Sequence, residues 1–305
     1  MGVSRWNPTD WDAYAASTSG KPTAAIFGSR GLDPALSPLR IRRESRDSAA
    51  NPLSTPIVVG LDVTGSMGVI ADAMAREGLG TLMEEILARR PVSDPHVAFL
   101  GVGDALCDQA PLQATQFEAD IRIADQLSKI WLEKGGGGNA CESYTLPWWF
   151  AAMHVSADRI EKGRGKGWLF TVGDEEPPER LTAREIQSVF GEGPQQDMAT
   201  EDLLAMVSRD WEVFHVMVEE GSHFRHSGPT VAAKWERLLG QRALRLSDHK
   251  RLAEVVVSAI EVASGRDPRG VSASWSDAKV GAVVARAVGA LAPRPGASSG
   301  GLVRL

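Results

Sequence analysis

The chain has 305 residues, 39 acidic and 33 basic side chains and a formal net charge of −6, which argues against a general nucleic-acid binder. Its length suits one large domain with extensions or two small ones, and its composition is that of a soluble globular protein. No apolar stretch approaches a membrane helix, the start Met1 to Pro8 lacks a signal-peptide core, and Cys107 and Cys141 form neither a disulfide framework nor a zinc pattern, so a cytoplasmic location is expected.

Residues 1–52 are rich in Pro, Ser and Arg and carry no sustained period. Trp6, Trp11, Tyr14 and Phe27 are scattered through them, which predicts an irregular arm pinned to a domain by its aromatics. Arg40, Arg42, Arg43 and Arg46 form a basic cluster, read as a solvated face or a contact for an acidic partner. Residues 56–61 are apolar on both faces, as in a central parallel strand covered by helices on each side. Residues 67–90 predict a helix, with Leu79, Leu82, Met83, Ile86 and Leu87 at i, i+3, i+4, i+7 and i+8. The loop between them reads Asp62-Val63-Thr64-Gly65-Ser66-Met67-Gly68. It falls at the carboxyl end of the strand, where open α/β sheets bind ligands. Asp62 offers a carboxylate, Thr64 and Ser66 offer hydroxyls, and the glycines let the turn curl. Three small oxygen donors at i, i+2 and i+4 can face one hard cation such as Mg²⁺, which takes six oxygens and keeps several waters. A Ser/Thr turn that merely caps a helix is the simpler alternative, but a cap needs one hydroxyl and this loop supplies three oxygens.

The apolar run followed by Asp-Val-Thr-Gly-Ser-Met resembles the metal-ion-dependent adhesion site of von Willebrand factor type A (VWA) domains. That signature is Asp-x-Ser-x-Ser, and many bacterial members read Asp-x-(Ser/Thr)-Gly-Ser-Met. Strand–helix alternation from 56 to 262 predicts a doubly wound α/β fold. The resemblance adds a mostly parallel six-stranded sheet in the order 3-2-1-4-5-6, with strand 3 antiparallel and helices on both faces. The domain is expected over 53–264, after the arm at 1–52. A C-terminal helix and flexible tail are expected over 265–305.

Further along, 96–103 predicts a second buried strand ending at Asp104, and 112–117 a short antiparallel edge strand. Residues 120–133 predict a helix with Ile123, Leu127, Ile130 and Trp131 on one stripe. The loop from Gly135 to Ser143 opens with four glycines and leads into an apolar helix over 144–155. The resemblance implies a loop threonine here that reaches the cation. Asn139 stands in its place, with Glu142 as the alternative ligand and Ser143 also in reach. Residues 167–173 predict a third parallel strand, and Asp174 follows it. The resemblance implies that an Asp at this strand end holds the cation through water; the alternative is an acidic, solvated turn. Glu175 and Glu176 read as solvated. Helices over 182–190 and 201–208, a strand over 211–218, a helix over 232–239, a strand over 242–246 and a Ser247-capped helix to Val262 complete the alternation. His223 and His226 read as surface histidines in a loop, and His154 and His215 as packed residues. Residues 264–270 read as a linker and Trp275 to Leu291 as a last helix, folded back or offered to a partner.

These readings converge on a non-enzymatic, metal-dependent protein-binding module of the adaptor or assembly type. Asp62, Thr64, Ser66, Asn139 and Asp174 would hold Mg²⁺, with Mn²⁺ or Ca²⁺ as alternatives. An Asp or Glu of a partner protein would complete the shell. For intracellular bacterial members the resemblance makes an AAA+ ATPase a candidate partner, with neither nucleic acid nor membrane involved. Two other functions compete. The Asp-x-Thr arrangement resembles a phosphatase or hydrolase loop, but Thr64 stands where the second acid belongs and no general base is identifiable. A metal-independent scaffold would use Trp148, Trp149 and the last helix as an oligomer interface.

Overall fold

A computed structural model describes residues 4–65, 67–133 and 142–292. Its centre is β1 (Thr55–Asp62), in which every residue is buried. On one side β1 pairs in parallel with β2 (Pro95–Val102), from Thr55 opposite Pro95 to Asp62 opposite Val102. The short β3 (Leu112–Ala114) runs antiparallel to β2. On the other side of β1 lies β4 (Gly167–Gly173), followed by β5 (Trp211–Val218) and β6 (Ala243–Leu246), all parallel. The result is a six-stranded mixed sheet in the order β3-β2-β1-β4-β5-β6.

Parallel strands buried on both faces need two apolar layers, and alternate residues of β1 divide between them. Ile57, Val59 and Leu61 enter one hydrophobic cluster and Val58 enters the other. The first layer begins with α1 (Pro8–Thr18) of the arm. It continues with α2, which runs Gly68–Ala73, passes through one π turn at Met74–Gly78, and ends Leu79–Arg89. The short α3 (Arg122–Leu127) adds Ile123, Ala124 and Leu127 to the same layer. The second layer is built from α4 (Thr145–Met153), α5 (Ala183–Phe190), α6 (Thr200–Val207) and α7 (Ser222–Leu239). The first layer is closed by α8 (Leu252–Ala263), α9 (Pro268–Ala273) and α10 (Ala278–Val288). The α10 helix folds back on the domain through buried Val280, Val284 and Val288. No helix among the described residues is long and apolar enough to cross a membrane.

The arm is not irregular. Asn7 caps α1 by accepting from the Thr9 N–H at 3.0 Å, and Pro8 opens the helix, where its missing N–H costs nothing. Residues Arg43–Ser45 form a strand that pairs in parallel with Val155–Ala157. The basic cluster is partly consumed inside the protein: Arg43 donates to the carbonyl of Ala114 at 2.7 Å, and Arg46 pairs with Asp158 at 2.9 Å and with Glu161. Trp6 and Trp11 pack with ring centroids 5.7 Å apart, and Gly80 of α2 faces the Trp11 indole so closely that a Cβ there would overlap it.

Four other expectations change. His223 and His226 lie in the first turns of α7, not in a loop, because that helix starts ten residues before the expected position 232 and carries Pro229 in its interior. The predicted 264–270 linker contains the start of α9, capped by Asp267, and the last helix spans only Ala278–Val288, capped by Asp277. The helix expected over 120–133 shrinks to Arg122–Leu127.

If the arm is part of the core, Trp11→Ala should lower the unfolding free energy by roughly 3 kcal/mol, seen as a lower urea midpoint at unchanged slope. Asp12→Ala, exposed on the same helix, should stay within about 0.5 kcal/mol. Equal midpoints for the two variants would mean that the arm only rests on the surface.

Candidate metal centre

The register of the sheet fixes the site. Asp62 ends β1 opposite Val102, and the Val63 N–H extends the pairing by donating to the Val102 carbonyl at 3.0 Å. Leu61 lies opposite Val172 of β4, so Asp174, two residues beyond, emerges at the same edge. The chain then turns at Gly65, whose φ of 42° is left-handed and favours glycine.

Asp62 is fully buried and held at both carboxyl oxygens. Oδ1 accepts from the Thr64 N–H at 2.9 Å and from the Thr64 hydroxyl at 2.7 Å. Oδ2 accepts from the Tyr144 hydroxyl at 2.8 Å. Thr64 Oγ1 also lies 3.1 Å from Glu142 Oε1. A threonine hydroxyl has one proton to give, so it cannot donate to both carboxylates at once. Asp174 accepts from the His223 N–H at 2.8 Å, at the start of α7. Two glycines make the space: a Cβ on Gly173 would strike the Tyr144 hydroxyl, and one on Gly221 would strike the Asp174 carboxylate.

The electrostatics follow from this crowding. Burial raises the Asp62 and Glu142 carboxyls well above the usual range; Asp174 adds to the effect at Asp62, and Asp62 and Glu175 add to it at Glu142. Glu175 is pushed up to about 7, first by burial and then by Asp62, Asp174 and Asp104. Burial and the same acids push the Tyr144 phenol well above 10, so it stays a donor. The principal charges acting on Asp62, Glu142 and Glu175 are all carboxylates. Buried like charges of this kind call for protons or for a cation. The donors are hard oxygens, the set that suits Mg²⁺, Mn²⁺ or Ca²⁺, and Glu175 Oε2 is buried without a hydrogen-bond partner. The chemistry of these donors therefore suits a hard divalent cation.

Of the residues expected at the site, Asp62 and the alternative ligand Glu142 each lie within hydrogen-bonding reach of Thr64, and Asp174 acts on Asp62 through its charge. Ser66 and Asn139 lie outside the described residues. Glu175 corrects its sequence reading: it is half-buried and belongs to the acidic cluster instead of facing solvent. Tyr144 was not anticipated. The signal available was the reversed Gly173-Asp174 order, since a bare backbone before the acid leaves room for a ring. Among the described residues, the group of three potential His, Cys, Asp or Glu ligands whose atoms all lie within 4.8 Å of one another is Glu220, Asp248 and His249, not the acids around Asp62. They already have other work: Glu220 accepts from the His249 N–H at 2.6 Å, and Asp248 caps a turn by accepting from Lys250 at 3.0 Å.

No family model matches the chain, and no curated protein matches it. Among solved structures, it is similar to the pilus adhesin SpaC from Lactobacillus rhamnosus GG in its open conformation, at 9% identity and a TM-score of 0.45, over 72% of this chain and 31% of that one. A second structure of the same adhesin gives 10% identity and a TM-score of 0.47, over 73% and 32%. The chain thus spans about a third of the adhesin's length.

The raised carboxyls make a pH prediction. Between 4.5, the ordinary value for Glu175, and about 7, its folded value, the native state keeps a proton that the unfolded chain has lost. Stability of the metal-free protein should therefore fall as pH rises through that window, and Asp62 and Glu142 act with the same sign. Urea midpoints measured from about pH 4.5 to 8 should decline, and Asp62→Asn or Glu175→Gln should flatten the decline. A midpoint that climbs over this window would show that the cluster is neutralised some other way.

Proposed function

We propose that this chain is a metal-dependent protein-binding module of the von Willebrand factor type A kind. A divalent cation, Mg²⁺ with Mn²⁺ or Ca²⁺ as alternatives, is held by Asp62, Thr64 and Asp174 and is bridged to an acidic side chain of a partner protein. The observation that carries the reading is Thr64 Oγ1, set 2.7 Å from one buried carboxyl oxygen and 3.1 Å from another with a single proton to share. A capping turn would need only the first of these contacts. Ser66 and Asn139 enter the ligand set on sequence grounds alone.

The order β3-β2-β1-β4-β5-β6 with β3 reversed supports a doubly wound sheet of the VWA pattern. The place of the acidic cluster, beyond the carboxyl ends of β1 and β4, supports a ligand site at the switch in strand order. When bound, the cation supplies a positive charge in a setting poor in water, where a carboxylate is attracted far more strongly than in bulk solvent. Asp62 is oriented by Thr64 and Tyr144, and Asp174 by the first amides of α7. Recognition, not turnover, is the role proposed: the chain acts as an adaptor or assembly factor, with an AAA+ ATPase as a candidate partner.

Isothermal titration of Mg²⁺ into the full chain tests the site. Loss of a group that only orients a ligand commonly costs 10–100-fold in metal affinity, so Asp62→Asn and Asp174→Asn should each weaken binding by at least about tenfold. Proteins captured by the parent chain should be lost both on adding a chelator and in Asp62→Asn. Capture that survives both changes would favour a metal-independent scaffold.

A further inference from the structure

We infer that the protein carries an aliphatic subsite beside the cation, a cavity walled by Met67, Val69, Val218 and Gly221. The partner segment that fits it has a Leu, Ile, Val or Met next to the acid that meets the metal. The inference rests on the metal-dependent reading above and deepens it by naming the partner's second recognition residue.

Position is the first ground. The cavity has a volume of about 240 Å³ and also takes Glu220, Arg225 and His249 into its lining. Three segments at the carboxyl end of the sheet build it: the loop after β1 with the first turn of α2, the link from β5 to α7, and the turn before α8. Each is held by its own backbone. The Met67 N–H donates to the Thr64 carbonyl at 2.8 Å, the Gly221 N–H to the Val218 carbonyl at 3.1 Å, and the Arg251 N–H to the Asp248 carbonyl at 3.0 Å. Gly221 is the wall shared with the acids: it lines the cavity, and a Cβ on it would strike the Asp174 carboxylate. Neighbouring Cα atoms of a chain are about 3.8 Å apart, so an acid and the residue beside it can reach two places separated by one glycine.

The lining is the second ground, and it names the guest. Met67 and Val218 are buried, whereas Val69 is 53% exposed. An aliphatic side chain left in water at the edge of an apolar hollow gains by being covered. Glu220 and His249 satisfy each other, through the His249 N–H at 2.6 Å and its Nδ1 at 2.8 Å. The Arg225 guanidinium makes no hydrogen bond or ion pair among the described residues and acts on Glu220 through charge alone. It sets a positive charge beside the hollow, which favours an acidic segment over a basic one. An apolar cavity of about 150 Å³ takes up benzene, so this one has room for a single aliphatic side chain. An apolar anchor seated in a pocket next to a charged contact is the usual way a short segment gains both affinity and choice of partner.

The test uses the full chain with ¹³C-labelled Met and Val methyls, saturated with Mg²⁺, and two peptides: acetyl-Gly-Leu-Glu-Leu-Gly-amide and acetyl-Gly-Gly-Glu-Gly-Gly-amide. The leucine peptide should bind roughly tenfold more tightly than the glycine peptide. It should shift the methyl signals of Met67, Val69 and Val218 in a saturable way, and a chelator should abolish the binding. Val69→Ser should bring the leucine peptide down to the affinity of the glycine peptide and leave Mg²⁺ binding unchanged. Leu53→Ser, at a comparably exposed leucine (49%) before the opposite end of β1, should change neither peptide. Equal affinity of the two peptides, or no cavity shifts in a chain that binds Mg²⁺ through Asp62, would overturn the subsite and leave the metal site standing. Cavity binding that survives both the chelator and Asp62→Asn would overturn its coupling to the cation, and the inference with it. A parent chain that binds Mg²⁺ no better than Asp62→Asn would overturn both the subsite and the metal-dependent reading.

Discussion

The structure depends on an imbalance between oxygens and protons at the carboxyl end of β1. Asp62, Thr64 and Glu142 bring their oxygens together out of water, with the hydroxyl and amide of Thr64 and the phenol of Tyr144 as donors. A carboxylate in that position is expensive to leave ionised and uncompensated. The remedies are protonation, which the raised carboxyls register, or a cation. Both act on the same atoms, so protons and a metal ion would compete for one site. The rest of the fold holds that competition in place: the β1–β2 and β1–β4 registers fix where the acids emerge, and two packed layers keep solvent from diluting their charge.

The wall behind the acids is aromatic and neutral. Tyr144 meets His215 edge-on at 5.0 Å between centroids, and His215 stacks on Trp235 at 3.6 Å. His215 is fully buried and pairs with Thr171 at 2.9 Å, and burial holds it well below its usual range, so it adds no positive charge. Trp235 uses its indole N–H on the Glu175 carbonyl at 2.9 Å, which ties the loop after β4 to α7. A histidine that carried a charge here would neutralise the acids from within. Its neutrality leaves the acidic cluster without that compensation.

Much of this was legible in the sequence, for a reason that differs from element to element. The β1 run is apolar on both faces, so its central place in a parallel sheet can be read without any partner strand. Asp62 and Thr64 could be placed because the motif is local: a strand end, a turn glycine and a helix start follow within seven residues. The start of α7 was misread because Gly228 and Pro229 look like a loop, whereas burial of Val231, Ala232 and Trp235 carries the helix through them. Tertiary packing overrides local propensity there. The anchoring of the arm by its aromatics was legible, as Trp11 fitting over Gly80 shows, but its helix was not, because α1 has little apolar periodicity of its own and the contact joins residues 69 positions apart. Glu175 and Glu176 both looked solvated because they stand in a short acidic run, yet both are half-buried, Glu176 in a pair with Lys234; for Glu175 the cause is tertiary. Its burial is set by the loop after β4 and by α7, a relation that no sequence window contains.

Tyr144 joins these threads. It sits two residues after Glu142 and donates to Asp62 across 82 positions of chain, over a glycine that precedes Asp174. One side chain therefore touches all three segments that supply acids to the site. Its proton is spent on Asp62 Oδ2, which leaves Oδ1 facing Thr64, whose hydroxyl also meets Glu142. The orientation of the motif carboxylate is thus decided by the loop that also brings in Glu142. The phenol is also packed independently against His215 and Trp235. The aromatic wall and Asp62 therefore form one packed unit at the carboxyl end of β1.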